Sequence, residues 1–190
     1  MGHRKRDGAQ PVVFTIGHST RPIEVFVRLL EAHGVQRVID VRTIPRSRHN
    51  PQFNRDELSP ALRRVRIHYK HIAGLGGLRH ARVDSINTGW RNASFRGYAD
   101  YMQTQEFEDS LRRCINLAKR ERVVLMCAEA LPWRCHRSLI ADALLRPSRP
   151  VGSLGALDRE AMSPAVSRSP DARSRDSNIE VTAEAEVSLT

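Results

Sequence analysis

Seven residues, PVVFTIG at 11–17, and eight more, VQRVIDVR at 35–42, bracket a single amphipathic segment, and that arrangement most limits what the chain can fold into. Each flanking run is short, β-branched and bounded by Pro, Gly or polar residues, which is the pattern of a buried strand. Between them Ile23, Phe26, Val27 and Leu30 recur at i, i+3, i+4 and i+7, one face of an α-helix spanning about 21–33. Ser19 or Thr20 offers a cap, Pro22 suits the first turn, and Gly34 ends the helix. Strand, helix and strand with joins this short form a right-handed parallel unit.

The rest of the chain continues the alternation. Residues 43–54, TIPRSRHNPQFN, read as a basic loop past the second strand, and Asn54 or Asp56 can cap a short helix near 55–65. RIHYKHI at 66–72 is a third strand. From Gly74 to Asn92 four glycines and little periodicity predict a long loop, a kind that is often functional. Helices over about 95–103 and 105–120 follow, the second placing Phe107, Leu111, Cys114, Ile115 and Ala118 on one face, so that Cys114 reads as core. RVVLMCA at 122–128 is a fourth strand, and a helix over about 133–145 packs Leu139, Ile140, Ala143 and Leu144. The fold class is α/β, a three-layer Rossmann-like domain whose mostly parallel sheet is flanked by helices.

The domain occupies residues 11–145. Residues 1–10 read as a basic, flexible start, and residues 146–190, rich in Ser, Pro, Ala and charge without sustained period, as a disordered tail. The formal charge is +10; the tail takes six of the 31 basic and seven of the 21 acidic residues, so residues 1–145 carry +11. A field of that sign favours an anionic small molecule or nucleic acid as partner. Against this, 28 of the 31 basic residues are Arg, which GC-rich coding also produces, and a charge run is usually a solvated face. Three cysteines make no disulfide framework, no apolar run approaches the roughly 18 residues of a membrane span, and the start lacks a signal-peptide core, so a cytoplasmic protein is expected.

In open α/β sheets ligands bind beyond the carboxyl ends of the strands, where strand order reverses. The loops leaving the predicted strands carry Gly17, His18 and Ser19, then Asp40 and Arg42, then Cys127, Glu129, Arg134, Cys135 and His136. A thiol at a helix start beside Arg or His is disposed to ionise, and the thiolate attacks electrophiles or binds metal. One expectation is therefore an enzyme with a Cys/His/Arg site. In it His18, Asp40, Cys127, Glu129, Cys135 and His136 are the catalytic set, with Cys127 or Cys135 as nucleophile and His18 or His136 as base. Ser19, Arg42, Arg134 and Arg137 bind an anionic, nucleotide or nucleic-acid-derived substrate. The bland reading stands beside it: Cys135 and His136 extend the stripe of Leu139 and Ile140, Cys127 finishes a buried strand, His18 fixes a turn through a backbone carbonyl, and Asp40 pairs with Arg42.

Other chemistries fit less well. Cys127 has six residues before Arg134, and Pro132 removes an amide donor, so the loop departs from the oxyanion cradle of rhodaneses and phosphotyrosine phosphatases. Cys127, Cys135, His136 and His18 offer ligands for Zn or Fe, although C-x7-C-H is not a recognised zinc spacing. GLGGLR at 74–79 lacks the dinucleotide and P-loop patterns. A second class of function is a non-catalytic nucleic-acid-binding or regulatory module. RTIPRSRHNPQFNR and RRVRIHYKH would supply its basic surface through Arg46, Arg48, Arg63 and Arg64, with Tyr69, Trp90 or Phe95 stacking on bases.

Several separated motifs occur in order: TIGHS at 15–19, DVR with a following Pro and Ser at 40–47, LGGLR at 75–79, FRGYADYM at 95–102, and LMCAE followed by CHRSLIAD at 125–142. On these the chain resembles the bacterial and archaeal family called domain of unknown function 488, over roughly residues 13–145. The resemblance implies a compact α/β domain with the motifs near one another, and no established reaction. Members usually continue after the final helix into another short strand, where this chain runs into RPSRPVGSLG.

Overall fold

A computed structural model describes residues 12–145; the basic start and the tail lie outside the described residues. Four strands form one parallel sheet: β1 (Val13–Gly17), β2 (Arg37–Asp40), β3 (His68–His71) and β4 (Val123–Cys127). The spatial order is β1-β4-β2-β3, so the last strand enters between the first two. That insertion puts the carboxyl ends of β1, β4 and β2 side by side, with Gly17 level with Cys127 and Asp40 level with Met126.

Helices cover both faces. α1 (Ile23–Ala32) and α2 (Arg55–Arg64) lie on one, burying Phe26, Leu30, Leu58 and Leu62 against Phe14, Ile16, Val38, Val124 and Met126. α3 (Ala93–Tyr101), α4 (Gln105–Ala118) and α5 (Arg137–Leu145) lie on the other, burying Tyr98, Phe107, Cys114 and Ile140 against Ile39, Val123, Leu125 and Cys127. Strand periodicity assigns the sides: Val124 and Met126 point one way, Val123, Leu125 and Cys127 the other. The three-layer α/β class expected from the alternation is what the chain adopts, with Cys114 buried in the core.

Three local expectations change. Ser19 and Thr20 do not cap α1: Pro22 is itself the cap residue, and Ser19 sits in a turn at φ 48 with its N–H donating to Ala128 O at 3.0 Å. Asn54 precedes α2, but its side chain accepts from Ser47 N at 2.7 Å rather than from the helix. The last helix starts at Arg137, four residues later than its apolar stripe implies, because Pro132–Arg134 form a 3-10 turn. Cys135 and His136 therefore sit in the joint between that turn and α5.

The long loop before α3 is ordered by that helix. Tyr98 Oη donates to Leu75 O at 3.0 Å and Tyr101 Oη to Gly74 O at 2.7 Å. Asp100 accepts from Arg82 N, Ser85 Oγ and Asn87 Nδ2 at 2.6–2.9 Å. A Cβ on Gly97 would crowd the backbone of His80 and Ala81. Much of FRGYADYM thus serves to hold the glycine-rich loop against the sheet.

Candidate functional site

The predicted residues gather at the carboxyl rim of the sheet but divide between its two faces. On the α1/α2 face Asp40 is fully buried and takes a bidentate ion pair from Arg42, Nε to Oδ1 at 2.9 Å and Nη2 to Oδ2 at 2.6 Å. Tyr69 Oη donates to Oδ2 at 2.7 Å, and Arg42 Nη2 also reaches Phe53 O at 2.8 Å. His18 stacks on Phe53 with centroids 4.3 Å apart. Its Nδ1 donates to Ser19 O at 2.9 Å, which leaves Nε2 to accept from Arg42 Nη1 at 3.3 Å. Burial, aided by the Arg42 charge, pushes the His18 pKa down to about 4, so the ring is neutral near pH 7. Every polar atom of this His18–Arg42–Asp40–Tyr69 network is spoken for, and it works as a buried fastening between β1, β2 and β3.

On the other face, residues from β4 and from the joint before α5 meet. Cys127, Cys135 and Arg137 are buried and His136 partly so. The two sulfurs and the imidazole offer one ligand atom each, all within 4.8 Å of one another. His136 Nε2 faces Val41 O at 3.0 Å; since a carbonyl only accepts, Nε2 carries the hydrogen, and Nδ1 points its lone pair at Cys135 Sγ, 3.6 Å away. Arg137 Nε donates to the same sulfur at 3.4 Å and Nη2 to Glu129 O at 2.5 Å. The hydrogen bond from Cys127 lowers the Cys135 pKa against the effect of burial, and the charge of Arg137 lowers it further. Cys127 is raised by that same bond and by burial, so Cys135 is the sulfur that ionises first.

Backbone contacts explain the glycines near this cluster. A Cβ on Gly17 would overlap the Glu129 carbonyl, so only glycine lets the segment after β4 cross the end of β1. A Cβ on Gly77 would overlap the His136 ring at Nδ1, and one on Gly76 would overlap Thr43. Thr43 Oγ1 also accepts from Leu78 N at 3.2 Å. LGGLR is thus a wall against which the imidazole rests. The spacing of GLGGLR speaks only to phosphate binding, and nothing in the sequence pairs Gly77 with His136.

The remaining predicted residues lie elsewhere. The Glu129 side chain is exposed and accepts from Leu131 N at 3.2 Å; its contribution to the cluster is its backbone carbonyl. Arg134 is exposed, beside Trp133 at 61 % exposure, an aromatic that periodicity does not single out. Ser19 is committed through its backbone, and His18 is outside the metal-capable group because its ring lies on the opposite face. The two basic segments also separate. α2 is a crossover helix and runs against the strands, so Arg46 and Arg48 precede it at the carboxyl rim while Arg63 and Arg64 end it at the amino rim. Tyr69 is held by Asp40, and Trp90 and Phe95 stack on each other at 5.4 Å against the core, which occupies the aromatics expected to stack on bases.

A family model, the domain of unknown function DUF488, matches residues 22–144. The chain belongs to this family. The match takes in DVR, LGGLR, FRGYADYM and CHRSLIAD, whose residues supply Arg42, Gly77, the loop anchors on α3, and Cys135–Arg137. TIGHS precedes the matched range, yet β1 pairs along its whole length with β4. No curated protein and no solved structure matches the chain. Among the described residues no helix is long and apolar enough to cross a membrane.

Proposed function

We propose that this DUF488 member is an enzyme acting on an anionic, nucleotide or nucleic-acid-derived substrate at the Cys127–Cys135–His136–Arg137 centre. The observation that carries the reading is Arg137. The residue is 1 % exposed, and among the described residues no carboxylate lies within ion-pair distance of it. A buried charge left without a counter-charge costs several kcal/mol, roughly, which favours an opposite sign on whatever lies beside it. The neighbour in place is Cys135 sulfur, and thiolate sulfur is reactive chemistry that a structural core has no need of. Asp40, a buried carboxylate at this rim, is already matched by Arg42.

In this reading Cys135 is the working sulfur, Cys127 and Arg137 hold its charge, and His136 Nδ1 is the proton-handling or ligating atom. The exposed Arg46, Arg48 and Arg134 lend the rim the sign that draws an anion. The test is a turnover screen of phosphorylated nucleosides and short oligonucleotides, read by mass spectrometry. We expect one class to be converted by the wild-type chain and not by Cys135→Ser, with circular dichroism showing both folded. Conversion that is unchanged in Cys135→Ser, or a folded wild-type chain that neither binds nor converts any member, overturns the reading.

A further inference from the structure

Resting on that functional reading, we infer that Cys127, Cys135 and His136 together hold one zinc ion whose fourth position takes the anionic substrate. Tetrahedral zinc, with bonds of about 2.3 Å to sulfur and 2.0–2.1 Å to nitrogen, sets its ligand atoms roughly 3.5–3.8 Å apart. Cys135 Sγ and His136 Nδ1 already stand at 3.6 Å, and all three donors fall within 4.8 Å of one another. Two soft sulfurs and one imidazole nitrogen suit zinc better than magnesium, calcium or manganese, which prefer oxygen.

The surroundings are those a metal site requires. Val41 O holds the Nε2 hydrogen of His136, fixing the tautomer that presents Nδ1, the arrangement by which an outer carbonyl orients a ligating histidine. Arg137 donates to Cys135 Sγ, as outer donors do to ligating thiolates. Gly77, having no Cβ, leaves the room the His136 ring occupies. The donors come from the end of β4 and from the joint before α5, both packed into the core, so they are held before any ion arrives.

Charge then selects the fourth ligand. A divalent zinc ion and two thiolates sum to zero, Cys135 being ionised already and the Cys127 proton leaving to solvent, and Arg137 remains as an uncompensated buried cation. One anion on the metal cancels it. Among the described residues the group holds three donors and no fourth, the count of a zinc site that keeps a position open. His136, the member not fully buried, marks the side from which that position is reached.

The experiment uses the full chain, reduced, stripped with a chelator and titrated with Zn2+ against a chromophoric competitor, then with Co2+ as a spectroscopic substitute. We expect one Zn2+ per chain, and a sulfur-to-cobalt charge-transfer band with the visible bands of a tetrahedral ion. Cys127→Ser, Cys135→Ser and His136→Ala should each weaken binding by at least roughly 100-fold, while Cys114→Ala, which alters a buried cysteine outside the group, keeps it. Should a variant not fold, the wild-type cobalt spectrum decides: without sulfur-to-cobalt charge transfer the zinc assignment fails. It fails equally if the folded wild-type chain binds no Zn2+, or if the double Cys127→Ser/Cys135→Ser variant binds as well as wild type. Turnover that depends on Cys135 but persists in stripped protein removes zinc and leaves the enzyme standing. Tight, thiolate-dependent Zn2+ binding with no anion bound or converted does the reverse.

Discussion

Arg42 and Arg137 are both buried at the same rim, and the difference between their partners separates a structural arginine from a working one. Arg42 is matched by a carboxylate through two hydrogen bonds, with its own backbone N–H donating to Asp40 Oδ1 at 3.1 Å as a third. Asp40→Asn leaves that guanidinium buried without its counter-charge. The expected loss is about 3–5 kcal/mol of folding stability, read by urea unfolding, with little change in Zn2+ affinity because the network lies on the other face. His18 belongs to the same network and gives a pH signature. Its folded pKa of about 4 lies below the ordinary histidine value of 6.5, so the unfolded chain binds the extra proton. The stability it contributes is complete above pH 6.5 and falls as pH drops towards 4, by up to about 3 kcal/mol. His18→Gln, which keeps an acceptor for Arg42, should flatten that acid limb when chelator-stripped protein is unfolded across pH 4–7. An unchanged slope would mean that the ring already carries a proton in the folded chain.

Whole elements here owe their placement to a few contacts. α3 buries a face from Gly97 to Tyr101, and its polar groups reach back to fasten the long loop that precedes it. Asp100→Ala removes acceptors for Arg82 N, Ser85 Oγ and Asn87 Nδ2 together. Hydrogen exchange at the Arg82 amide should therefore rise at least tenfold, while amides in β4 keep wild-type protection. Equal loosening of β4 would show that α3 carries the core rather than the loop. Gly77→Ala makes the companion prediction at the loop's other end: the new methyl displaces the His136 ring, so Zn2+ affinity drops by about 10–100-fold while the unfolding free energy changes by about 1–3 kcal/mol. The sequence announces the helices and strands well, since Ile23, Phe26, Val27 and Leu30 or Phe107, Cys114 and Ala118 mark faces by spacing alone. It places α5 four residues early because Cys135 and His136 extend the apolar stripe, whereas Pro132 sets a tighter turn first. Caps were the least legible: Ser19 and Asn54 have the right side chains, but each is drawn into a tertiary contact.

At the scale of the molecule, strand order decides what can meet, and strand order is what spacing along the chain does not show. His18, Asp40 and Cys127 all end strands, and inserting β4 between β1 and β2 does bring them to one rim. The pleat then sends Asp40 and Cys127 to opposite sides, because Asp40 is level with Met126 and Cys127 is one residue further. A sequence reader sees the gathering but not this parity, and so merges two clusters into one. The same geometry sorts the basic residues. Arg46 and Arg48 stand at the rim that bears the sulfurs, while Arg63 and Arg64 end α2 about 15 Å away, the rise of a ten-residue helix. If an anion reaches the centre from the carboxyl rim, only the first pair speeds its arrival. The double variant Arg46→Gln/Arg48→Gln should lower association of a nucleoside triphosphate by about 3–10-fold at low salt and flatten its dependence on ionic strength. Arg63→Gln/Arg64→Gln removes the same charge from the whole molecule and should change neither, measured by stopped-flow mixing at two salt concentrations. Equal effects from both pairs would mean that net charge, not the charge at this rim, governs the encounter.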